Sequence, residues 1–168
     1  MIKLTPYSPS QYKVEADIKK EAKSLVCNFF VKGEMSTLDL TTPKSENKRL
    51  DNLWKFTCFE FFLKNKKQKS YIEFNANLSS QWNLYHFDDY RIGMKEHQYD
   101  YNPKVYHHLE KDSLSIDISL PFFDDSYNFG TLTCILIDNT GKQNFFAPMH
   151  ADLKPNFHDQ KSFIDLKL

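Results

Sequence analysis

The amino-acid sequence predicts an all-β fold, an antiparallel β-sandwich with little helix. Apolar residues recur mostly with period two, and turn-forming stretches separate the runs. No heptad, internal repeat or low-complexity tract competes with that pattern. Strand-rich chains of this kind close into sandwiches or barrels. At 168 residues, a single domain spanning 1–168 is expected, large enough to build a real core.

The elements follow in order. In VEADIKKEAK (14–23), Val14, Ala16 and Ile18 alternate as in a strand, although a short helix also fits; strand is the reading taken. SLVCNFFVKG (24–33), FTCFEFFLK (56–64), SYIEFNAN (70–77), QWNLYHF (81–87), SLSIDISLPF (113–122) and TLTCILID (131–138) are strand candidates, rich in β-branched and aromatic residues. KNKKQK, residues 77–80, KDS and DNTG mark the turns between them, and the KNKKQK charge run reads as a solvated hairpin loop.

Composition excludes several classes. Lys plus Arg and Asp plus Glu are 22 each, which leaves no electrostatic footprint for nucleic acid or an anionic membrane. The unusual feature is 15 Phe, 9 Tyr and 2 Trp against only 4 Gly, rings that can fill a core or line a groove. The opening MIKLTPYSPSQYKVEADIKK has no apolar signal-like region and no stretch reaches transmembrane length, so the expectation is a soluble cytoplasmic protein. Cys27, Cys58 and Cys134 lack CxxC spacing and sit in the apolar runs LVCNFF, FTCFEF and LTCILI. They are expected to be small buried hydrophobes.

A carboxylate in the middle of LDNLWKFTCFEFF (50–62) must be solvated, paired or used. Strand parity places Phe59, Phe61 and Leu63 on one face and Cys58, Glu60 and Phe62 on the other. In the next run Ile72, Phe74 and Ala76 form the apolar face, with Tyr71, Glu73, Asn75 and Asn77 opposite. Hairpin pairing then lets Glu60, Glu73 and Asn75 share one face. Trp54, Trp82, Tyr85, Tyr90 and Arg91 lie nearby in sequence or pairing. Acids, amides, an arginine and flat rings are what a sugar-binding groove requires: rings cover the apolar faces of a pyranose while fixed polar groups hold its hydroxyls. The alternative from pattern alone is that both Trp belong to the core and both Glu are solvated, or paired with Arg91 or Lys.

The ordered set LWKFTCFEFFL, YIEFNANLSSQW, YHFDDYRIGM and HADLKPNFH resembles bacterial DOMON-like proteins related to family-9 carbohydrate-binding modules, from about residue 50 to the C-terminus. The resemblance implies a jelly-roll sandwich whose concave face binds a small ligand, typically a sugar in the carbohydrate-binding relatives. It places Trp54, Glu60, Glu73, Asn75, Trp82, Arg91, His150, Lys154 and His158 on motif positions. Leu78 stands where relatives often carry Pro, and Asn156 replaces the Asp of their Lys-Pro-Asp-Phe-His. With the patterning, it leads to an expectation of about eight to eleven strands with both termini tied into the sheets.

The combined expectation is a non-catalytic module for a small polar ligand of carbohydrate type, with no cofactor and no metal. Trp54, Glu60, Glu73, Asn75 and Arg91 converge on one concave pocket, with residues 150–158 closing its rim; Trp82, Tyr85 and Asn156 complete the ligand-binding set. Two readings compete. Glu60 and Glu73 could be a glycosidase pair, although both lie inside strands and no elbow, P-loop or Ser/His/Asp set accompanies them. Some DOMON domains hold haem through Met and His, for which Met94, Met149, His150 and His158 are the candidates. The spacing of His150, Asp152, His158 and Asp159 matches no compact zinc pattern. His107 and His108 face opposite sides of a strand, and His86 and His97 read as ordinary polar residues.

Overall fold

The structure is a computed structural model, and it describes residues 1–46, 48–124, 126–166 and 168. Among these residues the strands are β1 (Ile2–Pro6), β2 (Lys13–Glu21), β3 (Ser24–Lys32), β4 (Cys58–Lys64), β5 (Tyr71–Ala76), β6 (Trp82–Phe87), β7 (Lys95–Glu96), β8 (Lys104–Leu109), β9 (Ser113–Pro121), β10 (Phe129–Ile137), β11 (Gln143–Ala147) and β12 (Ile164–Asp165). The chain is all-β, as expected, and the described helical pieces are short 3-10 turns. The twelve strands exceed the expected range, because β7 and β12 add two-residue pairings and β8 adds an edge.

Among the described residues the strands pair antiparallel and join into one curled sheet in the order β7-β6-β5-β4-β10-β11-β1-β2-β3-β9-β8, with β12 on β10, while an isolated bridge between Arg49 and Trp82 is parallel. The curl turns at β1. Its first part, Ile2 to Leu4, pairs with β2, and its last residues, Thr5 and Pro6, pair with Ala147 and Phe146 of β11. One short strand thus ties two layers together, a common way to turn a sandwich corner. The N-terminal run is a strand, since Val14, Ala16 and Ile18 are buried while their neighbours are not.

Between the layers lies the larger apolar cluster. Leu4, Val14, Cys27, Phe29, Ile116 and Ile118 from one layer meet Phe59, Phe61, Phe74, Leu84, Leu132 and Cys134 from the other. The rings of Phe29 and Phe59 bridge the layers at 5.3 Å. The second layer is also covered on its outer face. There Phe62, Tyr71, Tyr85, Phe87 and Ile135 pack with Phe157 and Phe163 of the C-terminal segment. Every residue of β4 and β5 is therefore buried, which explains why their sequences read as nearly continuous apolar runs.

Two expectations are refined here. Lys64, the first residue of the charge run, is not solvated. It is 7% exposed, its ammonium donates to Gln160 Oε1 of the C-terminal segment, and burial lowers its pKa. The cysteines are free and buried, and burial pushes all three thiols well above their ordinary value. Cys27 and Cys134 belong to the inter-layer core.

The packing makes a clear prediction. Phe59→Ala removes a fully buried ring and should cost about 3–5 kcal/mol of unfolding free energy. Tyr106→Ala, on a residue 64% exposed, should stay within about 0.5 kcal/mol. Urea denaturation measures both, and equal costs would contradict this layer arrangement.

Candidate functional site

The register of β4 with its neighbours sets the outer face of the second layer row by row. Thr133, Glu60, Asn75 and Asn83 stand side by side across β10, β4, β5 and β6. In the next row come Thr131, Phe62, Glu73 and Tyr85. Glu60 and Glu73 are therefore diagonal neighbours, about 7 Å apart at their backbones. Their parity is the expected one: alternate residues of β4 enter the core, and Glu60 faces the other way.

Most polar groups on this buried face satisfy one another in two networks, although Thr131 Oγ1 has no hydrogen-bond partner. In the first, Glu73 Oε1 accepts from Asn75 Nδ2 at 2.8 Å, and Glu73 Oε2 lies 3.7 Å from His158 Nε2. His158 Nδ1 is 2.7 Å from the Tyr71 hydroxyl, which accepts the Arg91 backbone N–H at 3.2 Å. The Tyr71 hydrogen is thus directed at Nδ1, and the imidazole hydrogen is assigned to Nε2, facing Glu73. In the second network, Asp51 Oδ1 accepts from Tyr85 OH at 2.8 Å and from Asn83 Nδ2 at 3.0 Å. Arg49 Nε donates to Asn83 Oδ1 at 3.0 Å. Glu60 is less well served. Its Oε2 accepts from Thr133 Oγ1 at 3.1 Å, while its Oε1 has no hydrogen-bond partner.

These surroundings shift the titrations. Burial, reinforced by the charge of Glu73 and offset by Thr133 and then by the neighbouring Cys58 thiol, pushes the Glu60 carboxyl up to about 8. Burial raises Glu73 to about 7 against the opposing pull of the Asn75 hydrogen bond and Arg91. His158 falls to about 3, because burial and the Arg91 charge both disfavour the imidazolium. Burial also raises the Tyr71 hydroxyl to about 12. Near neutral pH the site therefore holds a neutral imidazole and two carboxyls that are only partly ionised.

Above these groups opens a cavity of about 340 Å³, at the small end of ligand pockets. Glu60, Glu73, His158 and Arg91 supply its polar lining, and Trp54, Phe62, Phe87, Phe145 and Phe157 supply rings, with Met94, Ile135 and Pro155 between them. Trp54 sits on the 3-10 turn Leu53–Lys55 and packs edge-on against Tyr85 at 5.9 Å. A second hollow, bounded by Asp51, Tyr85 and Glu96, shares Trp54 and Met94 with the first. Arg91 adopts φ 53°, a left-handed conformation uncommon for a side-chain-bearing residue. Its backbone meets Tyr71 there, while its side chain, exposed at the rim, donates to Asn156 Oδ1 at 3.2 Å.

The structure thus brings Trp54, Glu60, Glu73, Arg91 and His158 to one pocket. Asn75 lies fully buried beneath it, holding Glu73. Tyr85 backs Trp54 and lines the adjoining hollow, and Asn156 holds the Arg91 guanidinium at the rim. Three expectations on placement are corrected. Trp82 faces the inter-layer core, stacked on Phe74 at 6.3 Å with the Arg49 guanidinium 4.9 Å from its ring. It pairs with Ala76 and therefore shares that residue's apolar side. His150 stands behind the pocket wall: its Nε2 lies 2.8 Å from the Thr5 carbonyl, its ring meets Tyr7 edge-on, and its contact with the lining is through the Phe157 ring at 6.5 Å. Lys154 is exposed and outside the lining. Of residues 150–158, only Pro155, Phe157 and His158 wall the cavity.

Sequence reasoning missed Tyr71, Thr133, Asn83 and Asp51, whose roles depend on register. Of the haem candidates, Met94 and His158 line the pocket, but His158 Nδ1 is engaged by the Tyr71 hydroxyl and Met149 is 46% exposed.

No protein-family model and no curated protein matches this chain in sequence. Solved structures match it in fold. A Bacteroides uniformis protein proposed to bind carbohydrate superposes with a TM-score of 0.68 at 13% identity, covering 96% of this chain and 84% of that one. A family-9 carbohydrate-binding module from Caldicellulosiruptor kristjanssonii, solved in complex with glucose, gives 0.51 at 10% identity, covering 87% and 73%. At these identities the likeness is one of fold: the chain is a β-sandwich of the kind these carbohydrate-binding proteins share.

The buried carboxyls make stability depend on pH with a definite sign. Glu60 and Glu73 hold their protons more tightly folded, at about 8 and 7, than at the ordinary 4.5, so their contribution is full below 4.5 and is lost as pH rises through the folded values. His158 acts oppositely, but only between about 3 and 6.5. From pH 6.5 to 8 the carboxyls dominate, and the urea midpoint should fall. Glu60→Gln should flatten that fall. A midpoint that rises or stays level in wild type over this range would contradict the assignment.

Proposed function

We propose that this chain is a non-catalytic module that binds a small polar ligand of carbohydrate type in the pocket over Glu60 and Glu73. The observation that carries the reading is the juxtaposition of flat rings, Trp54 and Phe157, with the buried carboxyls of Glu60 and Glu73 and the partly buried His158 in one cavity. A sugar ring has apolar faces and a polar edge, and such a lining addresses both. The fold shared with a glucose-bound module supports this reading, as do the ordered motifs that resemble DOMON-like proteins. The position of the acids favours binding over turnover. Both sit on paired strands, and a glycosidase needs one acid to protonate the leaving group and another to attack or activate water.

Small sugar sites bind weakly, with Kd of roughly micromolar to millimolar, about −8 to −4 kcal/mol. Calorimetric titration with a panel of mono- and disaccharides tests the proposal. Trp54→Ala should abolish binding while leaving the melting temperature near that of wild type, because the ring is only partly buried. Glu60→Gln should weaken binding by about 1.5–3 kcal/mol, the scale for hydrogen bonds to charged groups. A Trp54→Ala protein that unfolds would show the ring to be structural. Release of product from any glycan, stopped by Glu60→Gln, would replace binding with hydrolysis.

A further inference from the structure

The chemistry of the pocket is unbalanced at its inner end. Glu60 is 2% exposed and lines the cavity, yet its Oε1 has no hydrogen-bond partner. A buried polar atom in that condition costs free energy comparable to a lost hydrogen bond and calls for an explanation. Its diagonal neighbour is better answered: Glu73 has Asn75, the nearby His158 and the positive charge of Arg91. No described Lys, Arg or His is recorded in an ion pair with Glu60. Two basic residues on this side of the sheet are committed elsewhere. Arg91 is held at the rim by Asn156, and Lys64, four residues along β4 from Glu60, is bound to Gln160.

A second observation points the same way. Aromatic faces attract cations, and in this chain the cation–ring contacts recorded use Phe30, Tyr90, Trp82, Phe122 and Phe129. None of these rings lines the cavity. Trp54, Phe62 and Phe157 therefore surround two carboxyls without a recorded protein cation over them.

We propose that the inner end of the pocket is a seat for a protonated amine, held by Glu60 and Glu73, and that the ligand is an amino sugar with a free ammonium. The choice of a sugar rests on the function proposed above; the ammonium seat does not. An ammonium brings three donors and no acceptor. It can supply the missing partner of Glu60 Oε1 and a further donor to Glu73, and the charge it carries offsets theirs. A neutral hydroxyl can satisfy the same oxygen but brings no charge to favour the ionised form of the two acids. An N-acetylated sugar carries no such charge and adds bulk where the carboxyls stand. Seating the cation favours the ionised form of both acids, so binding releases protons. Thr133, Asn75, His158, Arg91 and Cys58 face this pair, the Tyr71 and Tyr85 hydroxyls feel the charge of Glu73 and the Cys134 thiol that of Glu60, and the imidazole stays neutral throughout.

Calorimetry on the full chain near neutral pH decides the matter with four probes: glucosamine, glucose, N-acetylglucosamine and cyclohexylamine. Glucosamine should bind at least tenfold tighter than glucose or N-acetylglucosamine, and its apparent enthalpy should change with the ionisation heat of the buffer, the mark of proton release. Glu60→Gln, with folding checked by its melting curve, should bring glucosamine down to the level of glucose. If cyclohexylamine binds and all three sugars fail, the ammonium seat stands and the carbohydrate reading falls. If the neutral sugars bind as tightly as glucosamine, the seat is overturned and the carbohydrate reading stands. If no probe binds, both fall.

Discussion

Burial of the second layer on both of its faces is the constraint from which the rest of the structure follows. One face of β4, β5 and β10 packs into the inter-layer core, and the other lies under the C-terminal segment with Phe157 and Phe163. Polar side chains on that second face cannot rely on bulk water, so each must find a protein partner, a neutral protonation state or a ligand. Asn75, Tyr71 and His158 partner Glu73 directly or through one another. Thr133 partners half of Glu60. The remainder of Glu60 is left facing the cavity, and the site's chemistry is concentrated there.

The same constraint divides the labour of the surrounding chain. The 3-10 turn before β4 brings Trp54 over the face, and the left-handed residue Arg91 lets a turn after β6 approach Tyr71 with its backbone while its guanidinium stays at the rim. The C-terminal segment is both cover and wall. Lys64 anchors it through Gln160, and Phe157 and His158 reach from it into the pocket. Glu60 and Glu73 stand on paired strands, and Glu73 has a hydrogen-bonded support, a placement that favours precise recognition of a small ligand.

Much of this was legible in the sequence where side-chain parity runs within one strand. The alternation of Val14, Ala16 and Ile18 marks β2, and the alternation around Glu60 places it with Phe62 and away from Phe59 and Phe61. Legibility stops where register across a turn is needed. Trp82 follows Asn77–Ser80, and only the pairing shows that Asn83, not Trp82, stands opposite Asn75. A shift of one residue moves a side chain to the other face, which separates a ligand-stacking ring from a core ring. β8 is missing from the strand candidates, although His107 and His108 read as strand residues, for another reason: as an edge strand it buries only Val105, and its sequence carries almost no period. His150 and Lys154 share a segment with His158, but an irregular segment has no parity to tell which of its side chains turn inward.

The central claim is that Glu60 is a buried, incompletely partnered carboxyl at the floor of a ligand pocket. Carbon-13 NMR of the glutamate side-chain carboxyls, with Glu60 assigned through Glu60→Gln, tests it most directly. The account predicts a Glu60 titration midpoint raised well above the ordinary 4.5, towards about 8, that moves down when an amine-bearing ligand is added. A midpoint near 4.5, unmoved by any ligand, would show that Glu60 is solvated and would contradict the account.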